Sequence, residues 1–145
     1  MSKKEFVSLI EMNMRAIDRM SDKLKARAHT IGYSRHQIQI IVRLHLAGRS
    51  KLKDMAQREM MPTSNLCAIF RKLEKDGLVL REIDKSDRRN TWYFVSPKGA
   101  KLAEQALDLL SERIAEFFSG ISREDETRLT VALKTINKIL IQMEK

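Results

Sequence analysis

Residues 63–99 decide the fold and read TSNLCAIFRKLEKDGLVLREIDKSDRRNTWYFVSPKG. The first part carries apolar residues at helical spacing and is followed by Gly77, a residue type that commonly ends helices. Two segments rich in β-forming residues, 78–83 and 91–95, then flank a polar stretch, which predicts a β-hairpin with a charged tip. A Ser-Pro pair at 96–97 supplies an N-cap and a proline at the first position of another helix. The stretch therefore predicts the order helix, hairpin, helix.

Three further helices are predicted on the N-terminal side of this stretch. The first covers about residues 4–28, where apolar side chains recur at helical spacing. The second begins at Ser34, whose spacing to Gln37 is that of a capping box, and ends at Gly48. A short third helix follows Ser50. The inward faces of the second and third helices are predicted to be Ile38, Ile41, Val42 and His45, and Leu52, Met55 and Ala56.

The C-terminal side predicts two longer helices. One covers about residues 97–118 and is ended by Gly120, and the next starts at Ser122, which has capping spacing to Asp125. In the last helix apolar residues alternate spacings of four and three, which is the heptad pattern that helices use to pack on helices. This heptad seam consists of Leu129, Leu133, Ile136, Leu140 and Met143.

This order of elements is that of a winged helix-turn-helix, in a mainly α protein with a small β-hairpin wing. In such a unit the second of two short helices enters the major groove of DNA, where each base pair displays a distinct pattern of donors and acceptors. The polar face of the helix that starts at Thr63 fits that role, and it also fits the solvated face of an ordinary helix. As DNA contacts, Asn65, Cys67 and Ala68 are predicted to face bases, and Thr63, Ser64, Arg71 and Lys72 to position the backbone.

The predicted wing tip places Lys85, Arg88 and Arg89 on a projecting loop. Arginine on such a loop suits the narrow minor groove of DNA, where the negative potential is enhanced. We interpret Asp87 as a brace that orients one of the two arginines. Asp84 lies in the same loop, and a charged tip of this kind is also what a merely soluble loop would carry.

Two motifs at the right separation resemble the MarR family of bacterial repressors, and the resemblance covers nearly the whole chain. Asp87-Arg88-Arg89 is followed after six residues by Ser96-Pro97-Lys98-Gly99, where the family carries Asp-Arg-Arg and then Leu-Thr-x-x-Gly. Residues 71–79 are similar to the end of the family's recognition helix. The chain departs from the family at 65–68, which read Asn-Leu-Cys-Ala in place of Thr-Val-Thr-Arg.

The resemblance implies a sequence-specific transcriptional regulator, with repression as the default, that binds pseudo-palindromic double-stranded DNA as a homodimer. It also implies that the first, fifth and sixth helices pair between subunits. The chain would then consist of an N-terminal dimerisation helix, 1–32, a DNA-binding lobe, 33–97, and C-terminal dimerisation helices, 98–145, within one compact domain. A small ligand or an oxidant that weakens DNA binding is a further implication of the family.

A pocket for a small-molecule effector is expected between the dimerisation helices and the DNA-binding lobe. Methionine suits adaptable binding surfaces, although the same apolar residues also fit an ordinary core. The candidates are Met14, Ile17, His36, Ile40, Phe70 and Phe117. No cofactor and no metal ion are expected.

Composition is consistent with this interpretation. The formal net charge is +9, from 28 Lys and Arg against 19 Asp and Glu, which suits a polyanionic partner without establishing one. Cys67 is the only cysteine in the sequence, so no intramolecular disulfide forms and a reducing compartment fits. No run approaches the roughly 20 apolar residues that a membrane span needs, and no signal peptide is recognised, so we expect a cytoplasmic protein.

Other functions fit the sequence less well. Cys67, one turn from Arg71, could act as a redox switch, because its oxidation would add bulk or charge where DNA has to pass. A metal sensor using His29, His36 and His45 is disfavoured, because no two of them share one helix face at the required spacing. No nucleophile–base pair, glycine-rich phosphate loop or metal-ligand spacing is recognised, so an enzyme is not expected. A pure interaction protein that uses the heptad seam would leave the basic helix and wing unexplained.

Overall fold

The computed structural model describes residues 2–25, 32–87 and 91–143. These residues form six helices and a three-stranded sheet, and the helices and the hairpin follow one another as predicted. The mainly α fold with a small β-hairpin wing is therefore confirmed. The helices are α1 (Lys3–Lys25), α2 (Arg35–Ala47), α3 (Leu52–Arg58), α4 (Thr63–Lys75), α5 (Pro97–Phe117) and α6 (Arg123–Met143). The strands are β1 (Ser50–Lys51), β2 (Val79–Ile83) and β3 (Thr91–Val95).

The start of α2 is the predicted capping box. The Gln37 N–H donates to the Ser34 hydroxyl at 3.3 Å, and the Ser34 N–H donates to the Gln37 side-chain oxygen at 2.8 Å. These reciprocal bonds satisfy backbone donors that the first turn of a helix otherwise leaves unpaired. At the other end Gly48 has a φ of 73°, in the left-handed region where glycine is favoured. Both ends of α2 are thus set by residues that the sequence identifies.

The buried face of α2 differs from the prediction. Its centre lies on Ile40, Ile41 and Leu44, each at most 1% exposed. The face turns towards Leu44 because α2 packs against β3, a contact that the helical period of α2 does not specify. Three residues that the sequence analysis placed inward are instead half-buried: Ile38, Val42 and His45.

The sheet is antiparallel, with the strand order β1-β3-β2. The sequence predicts the β2–β3 hairpin but not β1, because a strand of two residues shows no alternation. In β1, Ser50 pairs with Tyr93 and Lys51 pairs with Trp92. Helix α3 accordingly begins after Lys51, which occupies the N-cap position without a capping side-chain hydrogen bond.

The buried core is formed by α2, α3, α4, the sheet and the start of α5. Phe70 of α4 stacks on Tyr93 of β3, with ring centroids 4.3 Å apart and an interplanar angle of 28°. The stacking fixes α4 against the wing strand, so the two elements that would meet DNA form one packed body. The buried apolar residues are Ile40, Ile41, Leu44, Met55, Ala56, Leu66, Phe70, Leu73, Leu78, Val79, Tyr93, Leu102 and Ala103.

Ser96 connects the start of α5 to the turn that follows α4. Its hydroxyl donates to the Gly77 carbonyl at 2.6 Å and accepts from the Gly99 N–H at 3.0 Å, while its own N–H donates to the Leu78 carbonyl at 3.0 Å. Gly99 approaches Leu78 so closely that a Cβ at this position would lie 2.0 Å from the carbonyl oxygen. The motif at 96–99 therefore holds α5 and the wing together.

The chain divides by packing into two units, residues 1–111 and residues 112–145. In the first unit α1 exposes large apolar side chains, and in the second unit no residue of α6 is buried. No helix in the described part of the chain is long and apolar enough to cross a membrane. The predicted division into 1–32, 33–97 and 98–145 stays a prediction.

Candidate nucleic-acid interface

Helix α4 exposes most of the side chains predicted to contact DNA. Leu66, Phe70 and Leu73 are buried and fix its opposite face against the core. The exposed residues are Thr63, Ser64, Asn65, Ala68, Arg71 and Lys72. Short polar groups thus occupy the first turns and cations the later turns, an order that suits base edges followed by phosphates.

Cys67 differs from these neighbours because it is half-buried on the flank of α4. Burial is the main cause of the raised pKa of Tyr93, and nearby Cys67 and Glu74 raise that pKa further. Cys67 is therefore near enough to Tyr93 of β3 to affect its ionisation, and its predicted contact with a base stays a prediction.

The turn that orients α4 is held by a buried carboxylate. The Glu59 side chain is 5% exposed and accepts hydrogen bonds from Arg43 Nη1 at 2.7 Å and from Gln39 Nε2 at 3.2 Å. Both donors come from α2, so they fix this turn to the preceding helix and satisfy a group that is costly to bury unpaired. The next residue, Met60, has a left-handed φ of 48°. Sequence reasoning missed the Arg43–Glu59 pair because sixteen positions separate its members.

Asp84 organises the start of the wing loop. Its carboxylate accepts hydrogen bonds from Trp92 Nε1 at 3.0 Å, from the Ser86 N–H at 2.9 Å and from the Ser86 hydroxyl at 2.6 Å. The Ser86 hydroxyl, the Trp92 indole and the Ser86 N–H, in that order, hold the pKa of Asp84 far below its usual range. The loop therefore begins on an ionised carboxylate that is bonded to β3.

The rest of the predicted wing tip is only partly described. Lys85 and Asp87 are exposed. Arg88 and Arg89, which are predicted to reach DNA, lie outside the described residues, so their contacts and the bracing role of Asp87 stay predictions. The acid that the structure shows holding the loop is Asp84, to which the sequence analysis gave no role.

Two cations lie over the Trp92 ring at the base of the wing. Arg49 Cζ is 4.6 Å from the ring centroid and Lys51 Nζ is 4.9 Å from it. Arg49 also pairs with Glu82 at 3.8 Å. Cation–π contacts of this kind contribute about 0.5–1 kcal/mol at exposed sites. The sequence offered one indication of these contacts. Side chains alternate between the two faces of a strand, so Trp92 of β3 lies on the sheet face opposite the buried Tyr93.

A cleft of about 450 Å³ lies beside the N-terminal end of α4. The cleft lies between the start of α4 and strand β3. Its two lysines outnumber its one carboxylate, Asp54, and this balance of charge suits the path of a sugar–phosphate backbone. The lining residues include Thr63, Thr91, Tyr93, Lys51 and Lys53.

The six residues predicted for an effector pocket have different environments. Ile40 and Phe70 are each 1% exposed and belong to the core, so the prediction that they face a ligand is corrected. They are inaccessible because α2 packs against β3 and because Phe70 stacks on Tyr93. The other four candidates are exposed: Met14, Ile17, His36 and Phe117.

The described residues do not assemble a metal site. Within 2–25, 32–87 and 91–143, no group of three or more His, Cys, Asp or Glu side chains could hold a metal ion. His36 is exposed, and His45 Nε2 lies 4.0 Å from a carboxylate oxygen of Glu104. His29 lies outside the described residues.

Comparisons with known proteins agree with this arrangement. Residues 33–91 match the model of the MarR family. The uncharacterized HTH-type transcriptional regulator YkoM of Bacillus subtilis is 26% identical over 128 residues, which cover 88% of this chain and 83% of the relative.

Solved structures share the fold. The transcriptional regulator Tm0710 from Thermotoga maritima matches with a TM-score of 0.72 and 18% identity, over 91% of this chain and 96% of that chain. The structure of NadR in complex with 4-hydroxyphenylacetate matches with a TM-score of 0.64 and 25% identity, over 87% and 89%. The predicted winged-helix fold is thereby confirmed.

Proposed function

We propose that this chain is a DNA-binding transcriptional regulator of the MarR family and that it is a repressor, which binds a pseudo-palindromic operator as a homodimer. A small-molecule effector modulates its affinity for the operator, and the protein acts in the cytoplasm, where the operator is. The observation that carries the proposal is that α1 and α6 each leave large apolar side chains exposed.

The heptad seam of α6 supports dimerisation. Leu133, Ile136 and Leu140 are 55%, 52% and 54% exposed, at the spacing with which a helix packs on a partner helix. On α1, Phe6 and Ile10 are likewise 51% and 47% exposed. An exposed apolar stripe on a helix marks an interaction site, and a second copy of the chain supplies a matching stripe.

A twofold-symmetric dimer places two copies of α4 in successive major grooves, with half-sites about one helical turn apart. In each half-site Asn65 and Ala68 face base edges, and Arg71 and Lys72 lie further along the helix, where phosphates pass. Asn65 has the donor and acceptor pair that suits adenine. Wing contacts from Arg88 and Arg89 complete the half-site.

Sedimentation equilibrium tests the dimer. We expect a dimer for the wild type and a monomer for the double variant Leu133→Lys, Ile136→Lys. The matched control is Val131→Lys, because Val131 is 61% exposed on the same helix but lies off the seam. A wild type that remains monomeric at tens of micromolar, or a double variant that dimerises as well as the control, contradicts the proposal.

Binding to a duplex selected from a random-sequence library tests the DNA contacts. Asn65→Ala should cost about 1–3 kcal/mol and relax the preference at one base pair. Arg71→Ala should weaken binding to all duplexes alike and reduce the salt slope by about one. Lys138→Ala, on the exposed surface of α6, is the control for loss of a positive charge. If neither α4 variant differs from this control, α4 is not the recognition helix.

The effector is proposed to be a small aromatic acid, in view of the likeness to the NadR complex with 4-hydroxyphenylacetate. Within residues 1–111, the exposed candidates for its site are Met14, Ile17 and His36. Titration with 4-hydroxyphenylacetate and related acids should weaken operator binding, and unchanged affinity across the series would exclude this class of effector.

A redox-responsive regulator is the second candidate, favoured by the position of Cys67 on α4 beside the wing strand. Oxidation of this thiol would add a polar group where the helix meets both β3 and DNA. Peroxide treatment should then reduce the operator affinity of the wild type and leave that of Cys67→Ser unchanged. If peroxide leaves the wild type unaffected, the redox alternative fails.

A further inference from the structure

The outer face of the wing sheet carries one connected cluster of side chains. The register pairs Trp92 with Lys51 on one side and with Glu82 on the other. Side chains that pair directly across strands share a face of the sheet, and neighbours along a strand point to opposite faces. Since Tyr93 faces the core and stacks on Phe70, Trp92 lies on the outer face.

The indole of Trp92 is fixed from two directions. On the loop side its N–H donates to Asp84 at 3.0 Å, and on the β1 side its ring lies against Arg49 and Lys51. Trp92 is half-buried, so these contacts lie at the protein surface, partly accessible to solvent. One ring therefore connects all three elements of the wing: the loop after β2, strand β3 and the segment that leads into α3.

Asp84 also fixes the next part of the loop. Its other carboxylate oxygen accepts from both the N–H and the hydroxyl of Ser86, at 2.9 Å and 2.6 Å. Lys85, between these two residues, is exposed. The short turn from Asp84 to Ser86 thus fixes the backbone from which the exposed Lys85 side chain projects.

We propose that Asp84 and Trp92 are positioning residues for DNA binding, which hold the cations Arg49, Lys51 and Lys85 in place to contact the phosphate backbone. The inference rests on the proposed operator binding and adds three phosphate contacts at the wing to those of α4. Asp84 contacts no DNA itself, because a carboxylate repels phosphate. Its contribution lies in the geometry of the cations around it.

The sign of one substitution separates positioning from simple electrostatics. Asp84→Asn removes a negative charge from a basic surface, so Coulomb attraction alone predicts tighter binding to DNA. Positioning predicts weaker binding, because an amide cannot accept all three hydrogen bonds that Asp84 receives. The two mechanisms therefore give opposite results for the same variant.

Operator affinity is measured by fluorescence anisotropy on the selected duplex at several salt concentrations. For Asp84→Asn we expect affinity to fall about tenfold and the salt slope to flatten by about one, as for the loss of one phosphate contact. The emission of Trp92, the only tryptophan in the sequence, should also change, because its hydrogen-bonded carboxylate is lost. Asp108→Asn, an exposed acid of α5, removes the same charge and should leave binding unchanged or slightly tighter.

Trp92→Phe provides an independent route if Asp84→Asn fails to fold. It keeps an aromatic ring and the Asp84–Ser86 bonds but removes the indole donor, and we expect a similar loss of affinity. The two side chains act through one hydrogen bond. The double variant Asp84→Asn, Trp92→Phe should therefore bind the operator as tightly as whichever single variant has the lower affinity. Additive losses would overturn the joint role of Asp84 and Trp92.

Two further outcomes distinguish the inference from the function on which it rests. If Asp84→Asn binds the selected duplex as tightly as the wild type or more tightly, the positioning role is wrong while DNA binding stands. If the wild type binds no duplex even at low salt, the proposed operator binding fails and the inference fails with it.

Discussion

The stability of the variant Gly99→Ala tests how closely α5 approaches Leu78, the residue that precedes β2. Helix propensity alone predicts that alanine at this helical position stabilises the protein by roughly 0.5–1 kcal/mol. The structure predicts the opposite, because the alanine Cβ would lie 2.0 Å from the Leu78 carbonyl oxygen and 2.9 Å from the carbonyl carbon. Both are backbone atoms, so no side-chain rotation relieves the contact.

The magnitude follows from what has to move. Cβ atoms essentially never lie within 3.0 Å of such neighbours, so α5 and Leu78 have to separate by about 1 Å or more. A shift of that size also breaks the hydrogen bond from the Ser96 N–H to the Leu78 carbonyl. Overpacking costs about 1–3 kcal/mol and the lost hydrogen bond about 1 kcal/mol. After the gain in helix propensity, the free energy of unfolding should fall by about 2 kcal/mol.

Guanidinium denaturation of Gly99→Ala and wild type, followed by Trp92 fluorescence and by helical circular dichroism, measures this loss. Protomer concentration is kept equal, because the stability of a dimer depends on it. The control is Gly120→Ala, where an added Cβ meets no atom within 4 Å and the expected change is within about 0.5 kcal/mol. A Gly99→Ala protein at least as stable as the wild type would refute the close approach of α5 to Leu78.

Three further predictions concern stability. Arg43→Ala removes the cationic partner of buried Glu59 and should lower the free energy of unfolding by about 1–3 kcal/mol. The control Arg15→Ala breaks an exposed ion pair and should change the free energy of unfolding by less than about 0.5 kcal/mol. If urea denaturation shows equal losses for Arg43→Ala and Arg15→Ala, the role of Glu59 is contradicted. Met60→Gly should stabilise the protein by up to about 1 kcal/mol, because Met60 is 93% exposed and has a left-handed backbone conformation. A lower urea midpoint for this variant would contradict the left-handed conformation at position 60. Burial raises the pKa of Tyr93 above 10.0, so the folded state retains the phenol proton longer than the unfolded state and stability falls as the pH rises past that value. Thermal melts of Tyr93→Phe should show a smaller alkaline decline than the wild type, and an equal decline would argue against burial of the phenol.

Features that depend on neighbours along the chain could be predicted from the sequence. The Ser34–Gln37 capping box connects residues three positions apart, and Ser96 caps α5 through the N–H of Gly99, also three positions away. The exposed polar face of α4 likewise followed from the period of its own apolar residues. Such contacts form within one element or one turn, so residue type and spacing are enough to identify them.

Features that join separate elements could not be predicted in the same way. Arg43 and Glu59 are sixteen positions apart, and Asp84 and Trp92 are eight positions apart across a loop. The effector prediction failed for Ile40 and Phe70 for a related reason: an apolar residue at helical spacing fits a core and a pocket equally well until the covering element is known.

The sequence by itself determined the helices, the hairpin, the helix ends and the face of α4 that is turned to solvent, because these follow from local spacing and from the backbone preferences of single residues. Tertiary structure decided that β1 joins the sheet, that α2 turns Leu44 inward, and that Asp84 is the acid bonded to Trp92 in the wing. These outcomes depend on which surfaces meet after the chain has folded back on itself. A hydrogen bond or a buried contact between distant residues exists only once packing has brought both partners out of water.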